Sequence, residues 1–356
     1  MNFEMSDDRR MLSDTLTRFL AEHCPVERRV DVAYDAPWHA PAAWDGLVEL
    51  GTLYALADEG AGGMGGSGFD IAVVFEALGR ALCPEPVLPA LLAIRLLAAA
   101  GQDLDPLLTG TKYAIGIGEL DAPYDLDGIK TQAVERDGTW HLTGRKSVVY
   151  GSAVADRLLI VARMGDALAV FAVDAPQAEV TPFGMIDGGP AGEVFLDETP
   201  ATLVLRDARA AVEDAMEAGA LALSAEALGA MEATMAALTD YLGTRKQFGQ
   251  PLGAFQALQH RAIDLMIEVE QARSSVILAA DALNGPDQSH RTSQAKHLVG
   301  KIARQVSEEA IQMHGGIGIT WEYPVAHYAK RLVMIDHQLG DTDWHLERLM
   351  ARLADA

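Results

Sequence analysis

Apolar side chains in the first hundred residues recur every three or four positions, the repeat of a helix with one buried face. Over 6–22, Leu12, Leu16, Phe19 and Leu20 share a face. Ser6 stands where an N-cap belongs, and Asp7 and Asp8 occupy the first turn, where the helix dipole favours negative charge. The same repeat predicts helices over 42–54, 69–83 and 88–100, with Pro84, Pro86 and Pro89 ending the one at 69–83. Near Lys112 the pattern changes. Short runs rich in Val, Ile and Thr cover 112–120, 129–136, 139–150, 158–163, 168–174, 178–183 and 193–196, broken by Gly, Asp and Pro. Asp137-Gly138 is a two-residue hairpin turn, because glycine accepts positive φ. From Asp207 the helical repeat returns in four long Ala- and Leu-rich stretches, 208–244, 255–284, 290–314 and 324–353. The predicted fold is mainly α with a β domain. It comprises an N-terminal helical domain (1–110), a middle antiparallel β-barrel (111–206) and a C-terminal four-helix bundle (207–356).

Composition narrows the function. The 356 residues are 49% apolar, which excludes whole-chain disorder. Lys and Arg number 28 against 51 Asp and Glu, a net charge of -23 that repels phosphate backbones and anionic lipid, so neither nucleic-acid nor membrane binding is expected. The two cysteines, Cys24 and Cys83, make neither a disulfide framework nor a CxxC pair. The first residues lack a basic and apolar leader, and the apolar stretch 87–100, interrupted by Pro89 and Arg95, is too short to span a bilayer. A cytoplasmic protein is the expectation.

Several motifs fail on context. Gly63, Gly65 and Gly68 satisfy G-x-G-x-x-G, but no strand precedes them and helices surround them, so a loop between helices is the reading rather than a nicotinamide site. His337, Asp341, Asp343 and His345 crowd one segment, yet without HExxH or a cysteine they read as polar residues at a helix start, and no metal is expected. No G-x-S-x-G elbow is present.

Two segments in the last third carry more. In 241–260 a helix ends at Arg245, a glycine and a proline turn the chain past Phe248, and a second helix opens with Phe255-Gln256. Such a corner aims a guanidinium, an aromatic face and an amide at one place, as a pyrophosphate and a flat ring require. A plain helix–helix corner, its arginine paired with one of many acids, satisfies the same spacing. In Gln312-Met-His-Gly315-Gly316-Ile-Gly318, three glycines in four positions exceed what a helix C-cap needs and open backbone N–H groups to a ligand.

Together, Arg245-Lys-Gln-Phe-Gly and Gln312-x-x-Gly-Gly resemble the two strongest signatures of the acyl-CoA dehydrogenase family, and the resemblance runs along the whole chain. Leu50-Gly51, Gly62–Gly68 and Glu76-Ala-Leu-Gly-Arg80 match its first third, and Leu142-Thr-Gly-Arg-Lys-Ser-Val-Val149 its flavin-flanking β segment. The tail from Tyr323 through Leu339-Gly340-Asp341 is most similar to small subunits of two-component members, of the pimeloyl-CoA or steroid side-chain type. The resemblance implies an FAD-dependent oxidoreductase of fatty acid or steroid side-chain catabolism that desaturates an acyl-CoA thioester between the α and β carbons. It implies electron-transfer flavoprotein as electron acceptor, and a homo-dimer or tetramer, or a heteromer with a larger subunit. Arg245, Phe248, Gln256, Gln312, Gly315 and Gly316 would contact FAD, in the family the cofactor of the neighbouring subunit.

The chain departs from the family at its base. The usual C-terminal Glu is replaced by Asp341 in one alignment and Gly340 in another, and the alternative early-helix position falls on Gly219, beside Glu217. Asp341 is the candidate base, one methylene short, and a helix N-cap is its competing role. The family's Trp-x-Thr beside the flavin becomes Val148 and Tyr150, and its Glu-Pro-x-x-Gly-Ser loop becomes 119–125. Two other functions are compatible with these departures: a base-less partner subunit that only completes a neighbour's FAD site, and a flavin oxygenase of the same fold.

Overall fold

The computed structural model describes residues 5–354. Its helices in chain order are α1 (Asp7–His23), α2 (Arg29–Ala33), α3 (Pro41–Glu49), α4 (Thr52–Leu56), α5 (Gly68–Ala81), α6 (Val87–Ala99) and α7 (Asp105–Leu108). Strands β1 (Tyr113–Gly116), β2 (Gln132–Arg136), β3 (Thr139–Tyr150), β4 (Arg157–Met164), β5 (Ala167–Asp174), β6 (Glu179–Gly184) and β7 (Pro190–Leu205) follow. Then come α8 (Arg209–Thr244), the short strands β8 (Lys246–Gln247) and β9 (Gln250–Pro251), α9 (Gln256–Ala282), α10 (Gln288–His314), α11 (Pro324–Asp336) and α12 (Thr342–Ala354). By contacts the chain forms two compact units. One contains the chain up to Val30, Ser67–Cys83 and everything from Ala220; the other contains Asp31–Gly66 and Pro84–Gly219.

The second unit is built on the strands. β4 pairs with β5, β5 with β7, β7 with β3, β3 with β2, and β2 returns to β4, so the sheet closes on itself, with β1 added to β4 and β6 to β7. Pairing is antiparallel except for β1 with β4 and the single Gln132–Arg163 pair of β2 with β4, which are parallel. Leu142, Leu158, Ile160, Phe171, Val173 and Val194 fill the core. Leu158 to Ala162 is buried on both faces, which is why β4 reads as an unbroken apolar run. Two predicted strands shorten, 112–120 to Tyr113–Gly116 and 129–136 to Gln132–Arg136, whereas the run at 193–196 is the middle of a strand of 16 residues. The predicted helix over 42–54 is two, because Gly51 takes φ 76° between α3 and α4. Gly63 and Gly66 fold the loop back onto Ala57 and Asp58, where an added Cβ would lie 2.0 Å from the Ala57 carbonyl oxygen and 2.6 Å from the Asp58 nitrogen. Chain packing therefore accounts for those glycines.

A buried ion pair pins this unit. Lys146 of β3 is fully buried and donates to the Ile117 carbonyl (2.9 Å) and to Glu119 (2.8 Å). Glu119 also accepts from the Lys130 and Thr131 amides and from the Thr131 hydroxyl. Burial pushes the Lys146 pKa down to about 8 against the pull of Glu119. Burial alone would raise the Glu119 carboxyl, but its bonds to Lys146 and Thr131 hold it below the usual range.

α8, which belongs to the first unit from Ala220 on, is apolar all round and is long and apolar enough by composition to cross a membrane, yet 78% of that apolar window is buried inside the fold, as expected of a core helix. Gly79 and Gly229 let α5 and α8 touch backbone to backbone. The predicted fourth bundle helix, 324–353, is two helices. Leu339 (φ 54°) and Gly340 (φ 100°) turn the chain, and Asp341 caps α12. The break is held by Lys296 of α10, fully buried, whose ammonium donates to the Asp336 carbonyl (3.0 Å) and the Gly340 carbonyl (2.8 Å). A buried cation thus satisfies the last carbonyl of α11 and a carbonyl of the turn that follows it.

Candidate cofactor-binding site

The first site segment lies where α8 runs out. The Arg245 amide still bonds the Tyr241 carbonyl, and the Leu252 amide returns to the Arg245 carbonyl, closing the corner. Between them β8 and β9 form a hairpin whose two turn residues, Phe248 (φ 52°) and Gly249 (φ 84°), both have positive φ. A non-glycine residue in that region costs about 1–2 kcal/mol, and here it is a phenylalanine left 91% exposed. The Phe255 ring meets it edge-on, 6.1 Å between centroids. Arg245 is exposed, and among the described residues its guanidinium makes no hydrogen bond or ion pair, in a chain with 51 acids. That counts against the plain-corner reading, which needs the arginine paired. Gln256, exposed, opens α9.

The second segment ends α10. Gly315 takes φ 67° and ψ -146°, a conformation essentially reserved for glycine. Gly316 has no such reason and no packing reason, since an added Cβ would meet nothing within 4 Å. Gly318 does have one, since its Cβ would crowd His314 at 3.0 Å. Gln312, Gly315 and Gly316 are all exposed.

The fold brings the two segments together. The Tyr241 hydroxyl donates to the His314 carbonyl (3.1 Å), and the two rings stack at 4.5 Å between centroids. Tyr323 leans on both, at 6.1 Å from Tyr241 and 5.1 Å from His314. Burial lowers the His314 pKa, which favours the neutral ring. Arg245 begins one helical turn beyond Tyr241, and Gly315 follows His314 directly. An unpaired guanidinium, an exposed aromatic ring, two exposed amides and an unobstructed glycine backbone suit a diphosphate joined to flat rings, so the donor set fits a dinucleotide cofactor.

Sequence reasoning missed Tyr241's tie and a strained bulge in the other unit. Val148 takes φ 50°, an outlier for a β-branched residue, where β3 slips register against β7. Glu193 of β7 holds it, accepting from the Val148 amide (3.2 Å), the Ser147 hydroxyl (3.0 Å) and Arg145 (2.8 Å). Nothing local in the chain announces Glu193, which lies 45 residues from Val148.

Asp341 is half-buried, and its Oδ1 accepts the Trp344 amide at 2.8 Å, the geometry of an N-cap. Around it, His345 is buried between the Ser293 hydroxyl (3.3 Å) and the Leu339 carbonyl (3.2 Å), and burial pushes its pKa down to about 3. Among the described residues, no three His, Cys, Asp or Glu side chains gather as metal ligands.

Residues 6–103 match the family model described as acyl-CoA dehydrogenase, N-terminal domain, and 208–354 the C-terminal domain. Acyl-CoA dehydrogenase IpdE2 of Mycobacterium tuberculosis is 32% identical over 332 residues, 91% of each chain. The short-chain-specific acyl-CoA dehydrogenase of Megasphaera elsdenii is 28% identical over 320 residues, covering 80% of this chain and 82% of that one. Among solved structures, a chain of the Tcur3481-Tcur3483 steroid ACAD G363A variant superposes with TM-score 0.89 at 28% identity, covering 98% of both chains. A chain of the ChsE4-ChsE5 complex from Mycobacterium tuberculosis superposes with TM-score 0.90 over the whole of both chains, at 24% identity, a likeness of fold.

Proposed function

Because this chain belongs to the acyl-CoA dehydrogenase family and is an FAD-dependent acyl-CoA dehydrogenase, we propose that it works as the small subunit of a two-component enzyme, its 241–260 corner completing an FAD site in a neighbouring subunit. The observation that carries this reading is the corner itself: an arginine with no hydrogen bond or ion pair among the described residues stands beside a phenylalanine held 91% exposed in a strained turn. Bound FAD supplies the acceptor for the β-hydride, while a carboxylate takes the α-proton.

In this reading Arg245 grips the diphosphate, Phe248 covers a ring face, Gln256 and Gln312 hydrogen-bond polar edges, and the Gly315 and Gly316 amides approach the cofactor backbone. Asp341 spends one oxygen on the α12 cap, which favours a base contributed by the companion subunit over Asp341 itself. The acyl-CoA is a fatty or steroid side-chain thioester, and electrons leave through an electron-transfer flavoprotein. Two-protein assemblies among the matched structures support the heteromer. By sequence pattern the chain divides at 110 and 206 into a helical, a β and a second helical segment.

Co-expression with its companion and replacement of single residues test this. Arg245→Ala should strip FAD from the assembly while leaving it folded; full retention of flavin counts against the corner. Asp341→Asn keeps an N-cap acceptor, so turnover should persist if the base lies elsewhere, and its loss would return the role to Asp341.

A further inference from the structure

The chain has two cysteines, 59 positions apart, and the fold brings their sulfurs to 3.9 Å. Cys24 follows the last turn of α1, its amide on the Leu20 carbonyl (2.8 Å). Cys83 follows Leu82, the left-handed C-cap of α5, with its amide on the Leu78 carbonyl (3.0 Å). Both are thiols, and both are partly exposed to solvent. The two helices run side by side in the same direction. Their starts are clamped by Arg9, which bonds Asp70 (2.7 Å) and the Ser67 hydroxyl (3.0 Å) and lies over the Phe69 ring. Their ends meet at the sulfurs. Leu16 and Leu20 of α1 are fully buried, so that helix is seated in the unit, and the sulfur-to-sulfur approach belongs to packed structure.

We propose that Cys24 and Cys83 are an oxidation site that closes a reversible disulfide between the ends of α1 and α5, with hydrogen peroxide as the oxidant. One sulfur attacks a peroxide oxygen; the O–O bond breaks, the sulfur becomes a sulfenic acid, and hydroxide leaves to take up the thiol proton as water. The second sulfur then attacks the sulfenic sulfur, its proton and the departing hydroxyl leave as water, and the S–S bond forms. Two thiols and one peroxide thus give one disulfide and two waters. A disulfide needs sulfurs about 2 Å apart, so side-chain rotation must close roughly the same distance again from van der Waals contact. A dithiol reductant reverses the bond. The closed loop of about 60 residues narrows the unfolded ensemble, so the oxidised form melts higher.

The test uses the full-length FAD-loaded protein treated with hydrogen peroxide, then with dithiothreitol. The expected result is loss of both titratable thiols, a monomer lighter by two hydrogens, and a proteolytic fragment joining Cys24 to Cys83. Its thermal midpoint should rise by several degrees and return on reduction. Cys24→Ser and Cys83→Ser should each fold normally and show no rise. Disulfide-linked dimers, sulfinic acid on either cysteine without a cross-link, or thiols that survive treatment would each overturn the proposal.

Discussion

Gly79 on α5 and Gly229 on α8 meet at a backbone contact that leaves no room for a methyl group. A Cβ on Gly229 would sit 2.0 Å from the Glu76 carbonyl oxygen, and one on Gly79 would sit 1.9 Å from the Glu226 carbonyl oxygen. The obstructing atoms are main chain, so no rotamer change relieves them, and the helices must separate by about 1 Å even to reach the closest tolerable contact. Beside them, Arg80 of α5 pairs with Glu232 of α8 at 2.7 Å, and that geometry would be stretched. Overpacking of this kind costs about 1–3 kcal/mol or more, against about 1 kcal/mol regained from alanine's better helix propensity. A clash with main-chain atoms lies at the top of that range, so Gly229→Ala should destabilise by up to about 2 kcal/mol net, read as a lower urea midpoint. Because one separation of the helices makes space at both points, Gly79→Ala added to Gly229→Ala should cost clearly less than the two single changes summed. A stabilised Gly229→Ala protein, as propensity alone demands, or strictly additive losses, would refute the close-contact argument.

Other expectations concern the break before α12 and the cofactor corner. Burial pushes the Lys296 pKa from 10.5 to about 8, with Asp336 and Asp341 pulling it up and Arg331 pushing it down. Between about pH 8 and pH 10.5 the unfolded chain then binds the proton that the folded chain has released, so stability rises with pH across that window and the burial penalty is fully present below it. Relative to Lys296→Met, the wild type should gain roughly 2 kcal/mol between about pH 7.5 and 9.5, and a constant gap between the two denaturation curves would contradict this. Tyr241→Phe removes the hydroxyl bond to the His314 carbonyl but keeps the stacked ring. FAD affinity should fall by roughly threefold to tenfold with little change in melting temperature, and unchanged affinity would show that the tie does not serve the site.

The sequence alone determined most element types, because hydrophobic period depends only on which face of each segment is buried. The whole of β3, the turn at Asp137-Gly138 and the limits of α5, α8 and α10 could be read to within a residue or two. Both candidate site segments were also legible, since each concentrates its chemistry in a contiguous run. Period does not say which element lies against which, so every feature made by distant residues had to wait for the fold. Lys296 splitting the last helix, Lys146 finding Glu119, Glu193 bracing Val148 and Cys24 meeting Cys83 all join positions far apart in the chain. The same holds for Asp341: its composition suits a base or a cap equally, and only the position of the Trp344 amide shows that it caps. Side-chain identity sets what a residue is able to do, whereas burial and the nearest donor, supplied by tertiary packing, decide what it does.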